Sequence, residues 1–421
     1  AADAVGYPVV GADAHWRRVT PFSDNRRTRL THVVDWDGDG IDDIVILGDH
    51  PNDGPTGGAG AWASLMVLSG YAADADAGEP AGFGPAEVVG RLPADCIQNG
   101  HKSSVVDLDG DGALDVVCGY WDLWVLYGDG NGGLRRPEPV PEPAPDNYDP
   151  RYDAAVHVWD RPHWQNRALE ILDLDRDGRD DIVIAIRGTQ APNPMHIWWS
   201  RQTDEVGPYG PIFATPELAY EAQPIGADSN PWTSTDVTVA DVTGDGFADL
   251  LMSSWWAGTA DDPAPTLAVF AQVPGDMGEL PDFAPIPQSP AGLPFRFGHF
   301  QPADLDGDGD IDLIATHSNL DVSAQILLND GDGTFPSAQE LEGNVGGPRP
   351  VVTDLDGDDI VDLAFTTWWR GVEVRKGRGD GTFGPAVTLP VGSKGTNWLA
   401  ANDLDDDGLP ELLTGWIHYG A

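Results

Sequence analysis

Basic residues are scarce in this chain. Across 421 residues, 23 lysines and arginines stand against 69 aspartates and glutamates, a formal net charge of −46. A surface of that sign repels nucleic-acid phosphates and anionic headgroups, so neither is expected as a partner. Long apolar runs are missing too: no stretch approaches the roughly 18–20 apolar residues of a membrane-spanning helix. Cysteine is limited to Cys96 and Cys118. Two readings stand for them, a disulfide or a pair of buried thiols. No segment carries helical apolar periodicity, which leaves an all-β chain. Serine-triad, P-loop, Cys-x-x-Cys and His-Glu-x-x-His motifs are absent, and with them the chemistries that those motifs signal.

What the chain has in abundance is one acidic loop. In Asp107-Leu108-Asp109-Gly110-Asp111-Gly112-Ala113-Leu114-Asp115, carboxylates hold positions 1, 3, 5 and 9 and glycines hold 4 and 6. A calcium ion takes several oxygens at about 2.3–2.6 Å, and a short loop supplies them only by turning tightly around the ion. The start is that of an EF-hand loop, but an EF-hand ends on a glutamate at position 12 between helices. Here the last carboxylate comes at position 9 and the apolar run Val116-Val117-Cys118 follows. The loop therefore joins two strands.

Seven copies recur, about 50 to 70 residues apart. Their ligand positions are Asp35, Asp37, Asp39 and Asp43; Asp107, Asp109, Asp111 and Asp115; Asp173, Asp175, Asp177 and Asp181; Asp241, Thr243, Asp245 and Asp249; Asp304, Asp306, Asp308 and Asp312; Asp354, Asp356, Asp358 and Asp362; and Asp403, Asp405, Asp407 and Glu411. Thr243 displaces a carboxylate in the fourth copy, and Asp359 and Asp406 displace glycines in the sixth and seventh. Up to seven calcium ions are expected, one per repeat. Loops caged this weakly need the calcium concentrations found outside cells, so a secreted, extracellular or periplasmic location is expected.

Each repeat follows one order. A short strand precedes the loop, as at 31–34, 103–106 and 169–172, and a second follows it, as at 43–47, 115–118 and 312–315. Two further strands flank a glycine-rich turn, such as Asn329-Asp330-Gly331-Asp332-Gly333-Thr334-Phe335. Four strands in a period of this size read as one propeller blade. Insertions are expected at 49–61, 70–81, 138–159, 190–196 and 261–265, and 137–145 reads as a polyproline-like spacer.

The seven loops and the Phe-Gly-x-x-Pro-like turns, such as Phe83-Gly84-Pro85 and Phe383-Gly384-Pro385, resemble the FG-GAP/VCBS repeat propellers, the architecture of the integrin α head. The resemblance spans nearly the whole chain. It implies one domain over 1–421: a seven-bladed β-propeller of four-stranded antiparallel blades with a calcium loop in each. Members include adhesion heads, lectins and polysaccharide lyases, so it leaves the activity open. The last repeat stops after its second strand. Residues 1–21 carry surplus strand-like segments, which are expected to complete blade seven and leave no open edge. The opening Ala1-Ala2-Asp3 reads as a mature end after cleavage or as a cut edge.

If the loops mark one face, the residues before each first strand and after each second strand mark the other. That rule collects His101, Tyr120, Arg187, His299 and Arg370 as candidate catalytic residues. It adds Trp121, His163, Arg167, Trp232, Trp255, Trp256, His317, Trp368, Trp369, Trp398 and Trp416 as candidate substrate contacts. The loops repeat and this set does not, which points to a single composite site. Indole faces stack on sugar rings, and Arg or His pairs with carboxylates. A basic, aromatic face on an acidic protein suits a carbohydrate, specifically an anionic, uronate-containing polysaccharide. A lyase needs a base for the C5 proton (His101 or His299), an acid for the leaving oxygen (Tyr120) and a clamp on the uronate (Arg187, Arg370). A non-catalytic lectin and an integrin-like adhesion propeller are the alternatives. The sequence leaves the oligomeric state open.

Overall fold

The structure is a computed structural model. It describes residues 28–49, 63–71, 82–92, 96, 103–119, 122–135, 155–160, 164–188, 195–207, 210–221, 234–254, 267–287, 299–316, 324–341, 350–367, 371–389, 398–404 and 408–415.

The strands build a β-propeller. Six antiparallel four-stranded sheets follow one another, and the seventh repeat forms a two-stranded sheet from Trp398–Asn402 and Glu411–Gly415. Blade one shows the plan: Thr28–Val34, Asp43–Asp49, Ala63–Leu68 and Glu87–Leu92 pair in sequence order. Blade five repeats it with His299–Ala303, Asp312–Thr316, Ala324–Leu328 and Ser337–Leu341. Among the described residues the expected seven four-stranded blades are thus six: only the inner pair of the seventh repeat is described, and residues 1–21, expected to complete it, lie outside the described residues. The first strand of repeat seven lies beside that of blade one, so the first and last repeats are neighbours.

Blade packing follows from the two-residue side-chain period of a strand. Both faces of the second strand are covered in the six four-stranded blades, so these strands read as largely apolar runs rather than alternating ones. In blade two, Val116 and Cys118 pack toward blade one while Val117 packs toward blade three. In blade four, Leu250 and Met252 face blade three and Leu251 faces blade five. The core is therefore a series of inter-blade seams.

The insertion expected at 138–159 is shorter than expected, because Ala155–Asp160 pairs with Asp122–Leu126 as the outer strand of blade two. Likewise Met195 and His196 open the third strand of blade three, and Gly70–Tyr71 pairs with Gly82–Phe83. The two cysteines form the disulfide Cys96–Cys118, with 4.9 Å between Cα atoms, in the seam between blades one and two.

Candidate functional site

The acidic loops turn as their glycines require. Gly112 has φ +88° and Gly40 +87°; Asp359, at the equivalent place in the sixth loop, adopts +64°. An aspartate tolerates that left-handed region better than most side chains. Backbone amides fold inward on the first carboxylate: in loop two, Asp111 N and Gly112 N donate to Asp107 at 3.0 and 2.9 Å.

Oxygens gather inside five loops. Asp35, Asp37 and Asp39 each offer an oxygen within 4.8 Å of the others, as do Asp304, Asp306 and Asp308. In loops two, three and six the trio comes from positions 1, 3 and 9: Asp107, Asp109 and Asp115; Asp173, Asp175 and Asp181; Asp354, Asp356 and Asp362. Among the described residues, loop four forms no such trio; its Thr243 hydroxyl donates to Asp249 Oδ2 at 3.1 Å instead. Asp405 and Asp407 of loop seven lie outside the described residues.

The ninth position has a second task that the spacing did not reveal. Its carboxylate is buried and accepts two amides from different parts of its own blade. Asp115 Oδ2 takes Leu108 N at 3.0 Å and Oδ1 takes Gly128 N at 2.8 Å. The pattern holds for Asp43 (Trp36 N, Gly70 N), Asp181 (Leu174 N, Gln202 N), Asp249 (Val242 N, Gln272 N), Asp312 (Leu305 N, Asn329 N) and Asp362 (Leu355 N, Gly377 N). Glu411 Oε2 takes Leu404 N in repeat seven. This residue latches the loop to the end of the third strand. Burial pushes Asp115 and Asp181 up to about 7 and Asp312 to about 6, although the amide donors pull the other way. Burial, followed by the neighbouring Asp177 charge, also raises Asp175.

Side-chain amides carry the latch across seams. Asn329 Nδ2 donates to Val242 O at 2.8 Å and Gln272 Nε2 to Leu174 O at 3.1 Å, each reaching the loop of the preceding blade. Three loops also meet a cation of their own blade: Arg135 pairs with Asp109 and Asp111, Arg201 lies 3.9 Å from Asp175, and Lys376 pairs with Asp356 and Asp358. Apart from Arg135, these residues share one column near the end of each third strand: the residue whose amide binds the ninth carboxylate or the one before it.

At the other ends of the strands, the register locates four of the candidate positions. His299 pairs with Thr316, Arg187 with Gln165 and Met195, and Trp398 with Gly415, each at the end of the ladder away from the loop. Arg167 stands at the irregularity between Asn166 and Ala168 in the first strand of blade three, Trp164–Leu172. His101, Tyr120, Trp121, His163, Trp232, Trp255, Trp256, His317, Trp368, Trp369, Arg370 and Trp416 lie outside the described residues. Among the described residues a cleft of about 250 Å³ lies on the loop side, between blades three and four, lined by Trp199, Arg201, Glu217 and Leu280 among others. None of the expected site residues lines it.

The FG-GAP-like repeat family matches residues 173–252, 304–365 and 354–414. No curated protein matches the chain. Among solved structures, the NanB sialidase of Streptococcus pneumoniae, in complex with a substituted ethanesulfonate, superposes with a TM-score of 0.38 at 11% identity, over 92% of this chain and 65% of that one. NanB with Optactamide gives 0.39 at 11% identity, over 94% and 68%. This chain thus spans about two thirds of the length of those proteins.

Proposed function

We propose that this chain is a secreted, calcium-stabilised propeller that binds an anionic, uronate-containing polysaccharide on the face opposite its acidic loops and cleaves it by β-elimination. The observation that carries the reading is the contrast between the two ends of the strands. The loop end repeats in every blade. The other end bears Arg187, His299 and Trp398 on three different blades, followed or preceded in sequence by the remaining tryptophans and histidines. Such a set suits one composite site better than several equal ones.

Each role follows from the chemistry. Arg187 and Arg370 pair with the uronate carboxylate and make the C5 proton more acidic. His299 or His101 removes that proton. The freed electron pair forms the C4–C5 double bond as the C4–O bond breaks, and Tyr120 protonates the leaving oxygen. The tryptophans stack on neighbouring sugar rings. Incubation with a panel of uronate polysaccharides tests this by the ultraviolet absorbance of the unsaturated product. Binding without turnover assigns a lectin; neither binding nor turnover removes the glycan reading and leaves a protein-interaction propeller.

Calcium fits the loops on one structural ground. Asp175 Oδ2 and Asp356 Oδ1 are buried within acidic clusters and have no hydrogen-bond donor. A hard dication is the partner such oxygens lack. Positions 1, 3, 5 and 9 would hold it, and its charge would let the clustered carboxylates stay ionised. Excess EDTA is expected to lower the Tm, with loop four, which lost a carboxylate to Thr243, the last to fill on calcium titration. An unchanged Tm in EDTA removes calcium from the account.

A further inference from the structure

The loops are not equivalent, and the difference lies in the column beside them. The residue just before each amide that latches the ninth carboxylate is Ser69, Tyr127, Arg201, Ala271, Leu328 or Lys376, in blades one to six. Lys376 Nζ pairs with Asp356 Oδ2 and, at 3.0 Å, with Asp358 Oδ2, positions 3 and 5 of its own loop. Arg201 Nη1 approaches position 3 of loop three, Asp175 Oδ2, at 3.9 Å. In blade two the cation comes from across the hairpin: Arg135 N donates to Tyr127 O at 2.8 Å, and its guanidinium pairs with Asp109 at 2.5 Å and with Asp111.

The carboxylates differ accordingly. In loops one and five, where the column holds Ser69 and Leu328, the close trio is drawn from positions 1, 3 and 5. In loops two, three and six it is drawn from positions 1, 3 and 9. In each of those three the fifth-position aspartate is held by a cation instead: Asp111 by Arg135, Asp177 by Arg179, Asp358 by Lys376. A separate observation marks loop six as built for more than its lysine. Asp356 is only 6% exposed at its side chain, and its Oδ1 has no hydrogen-bond partner while Lys376 takes Oδ2.

We propose that Lys376 is a built-in competitor for a divalent cation at the sixth loop, that Arg135 acts likewise at the second, and that loops one and five fill first. The proposal rests on the reading of the loops as calcium sites. A dication needs the oxygens of positions 3 and 5 that the ammonium occupies. The Lys376 side chain is 26% exposed, so it can withdraw into water when an ion enters. Competition therefore weakens the site without closing it. The affinity lost is on the order of tenfold, comparable to one charge-assisted hydrogen bond.

Calcium titration of the full chain by calorimetry, with Tb³⁺ luminescence as a second probe, tests this. Lys376→Met is expected to tighten one weak site by about tenfold or more, moving it into the tight class. Ser69 is exposed and holds the same column position in blade one. Ser69→Lys is expected to do the reverse and remove one tight site, and it keeps the test decisive if the Lys376 variant misfolds. Folded variants with the same affinities and stoichiometry as the parent overturn the inference while leaving the calcium reading intact. A parent protein that takes up neither ion overturns both.

Discussion

Asn402 Nδ2 donates to Asp42 Oδ2 at 2.7 Å across 360 positions of sequence. Asn402 ends the first strand of repeat seven, and Asp42 is the eighth residue of the first loop. The bond ties the last repeat to the first where no covalent link does. It sits beside two acidic loops, so closure and ion loading share neighbours. Removing either partner is expected to cost about 0.5–1.5 kcal/mol, the usual net worth of one hydrogen bond. Urea midpoints of Asn402→Ala, Asp42→Ala and the double variant give the coupling; strict additivity would show that the two residues do not act on each other.

The ninth-position latch predicts a larger effect from a smaller change. Asp115→Asn keeps the shape but turns one of two amide acceptors into a donor facing a donor. A buried unsatisfied pair of this kind costs about 1–3 kcal/mol. The loss should persist in EDTA, because Leu108 N and Gly128 N are held by the carboxylate itself. Denaturation with and without chelator checks this. A loss that vanishes in EDTA would reduce Asp115 to a metal ligand only.

His32 links the first strands of blades one and two, its Nε2 lying 2.7 Å from Ser103 Oγ. Burial lowers its pKa from 6.5 to about 4. As pH falls below about 6.5 the unfolded chain takes up this proton first, so stability declines until the folded pKa is reached near 4. The contribution lost over that window approaches about 3 kcal/mol. Carboxylates titrate in the same range, so the measured quantity is the difference between parent and His32→Gln. A parallel pH dependence of the two proteins would mean that His32 is solvated in the fold.

The cysteine pair offers a fourth stability test. Cys96 and Cys118 close a loop with a sequence separation of 22. Chain-entropy arguments give about 3 kcal/mol for a loop of that size. Replacing both by serine should lower the urea midpoint accordingly, and a thiol assay on the unfolded parent should find no free thiol.

Much of the scaffold was legible because it is local. Strands Ser103–Val106 and Asp115–Cys118 are where the apolar runs beside the second loop placed them. A nine-residue loop declares itself through its own spacing, and a strand buried on both faces through its unbroken Val and Ile. What escaped was everything decided between blades. Asn329 and Gln272 look like ordinary polar residues near a strand end until the loop of the preceding blade is brought beside them. The outer strand Ala155–Asp160 was hidden by the proline-rich stretch ahead of it, which reads as one long excursion. The seventh repeat misled for a related reason: its described residues form only the pair Trp398–Asn402 and Glu411–Gly415, and no local pattern states which segment pairs with which.

The site itself turns on whether the strand ends converge on one substrate, and two substitutions divide the question. Arg187 is placed by its register at the loop-opposite end of blade three, and His299 at the same end of blade five. If Arg187 clamps a uronate, Arg187→Ala leaves a buried carboxylate unpaired in ground state and transition state alike. Binding should then weaken by roughly 2–5 kcal/mol, seen as a higher Kd for the polymer. If His299 is the base, His299→Ala should leave Kd almost unchanged and abolish turnover, because proton transfer is felt only in the transition state. His101→Ala separates the two histidines, since only the true base gives that split. Equal loss of binding from all three changes would instead describe a shared wall without chemistry. Unchanged binding and turnover in all three would place the substrate elsewhere on the molecule.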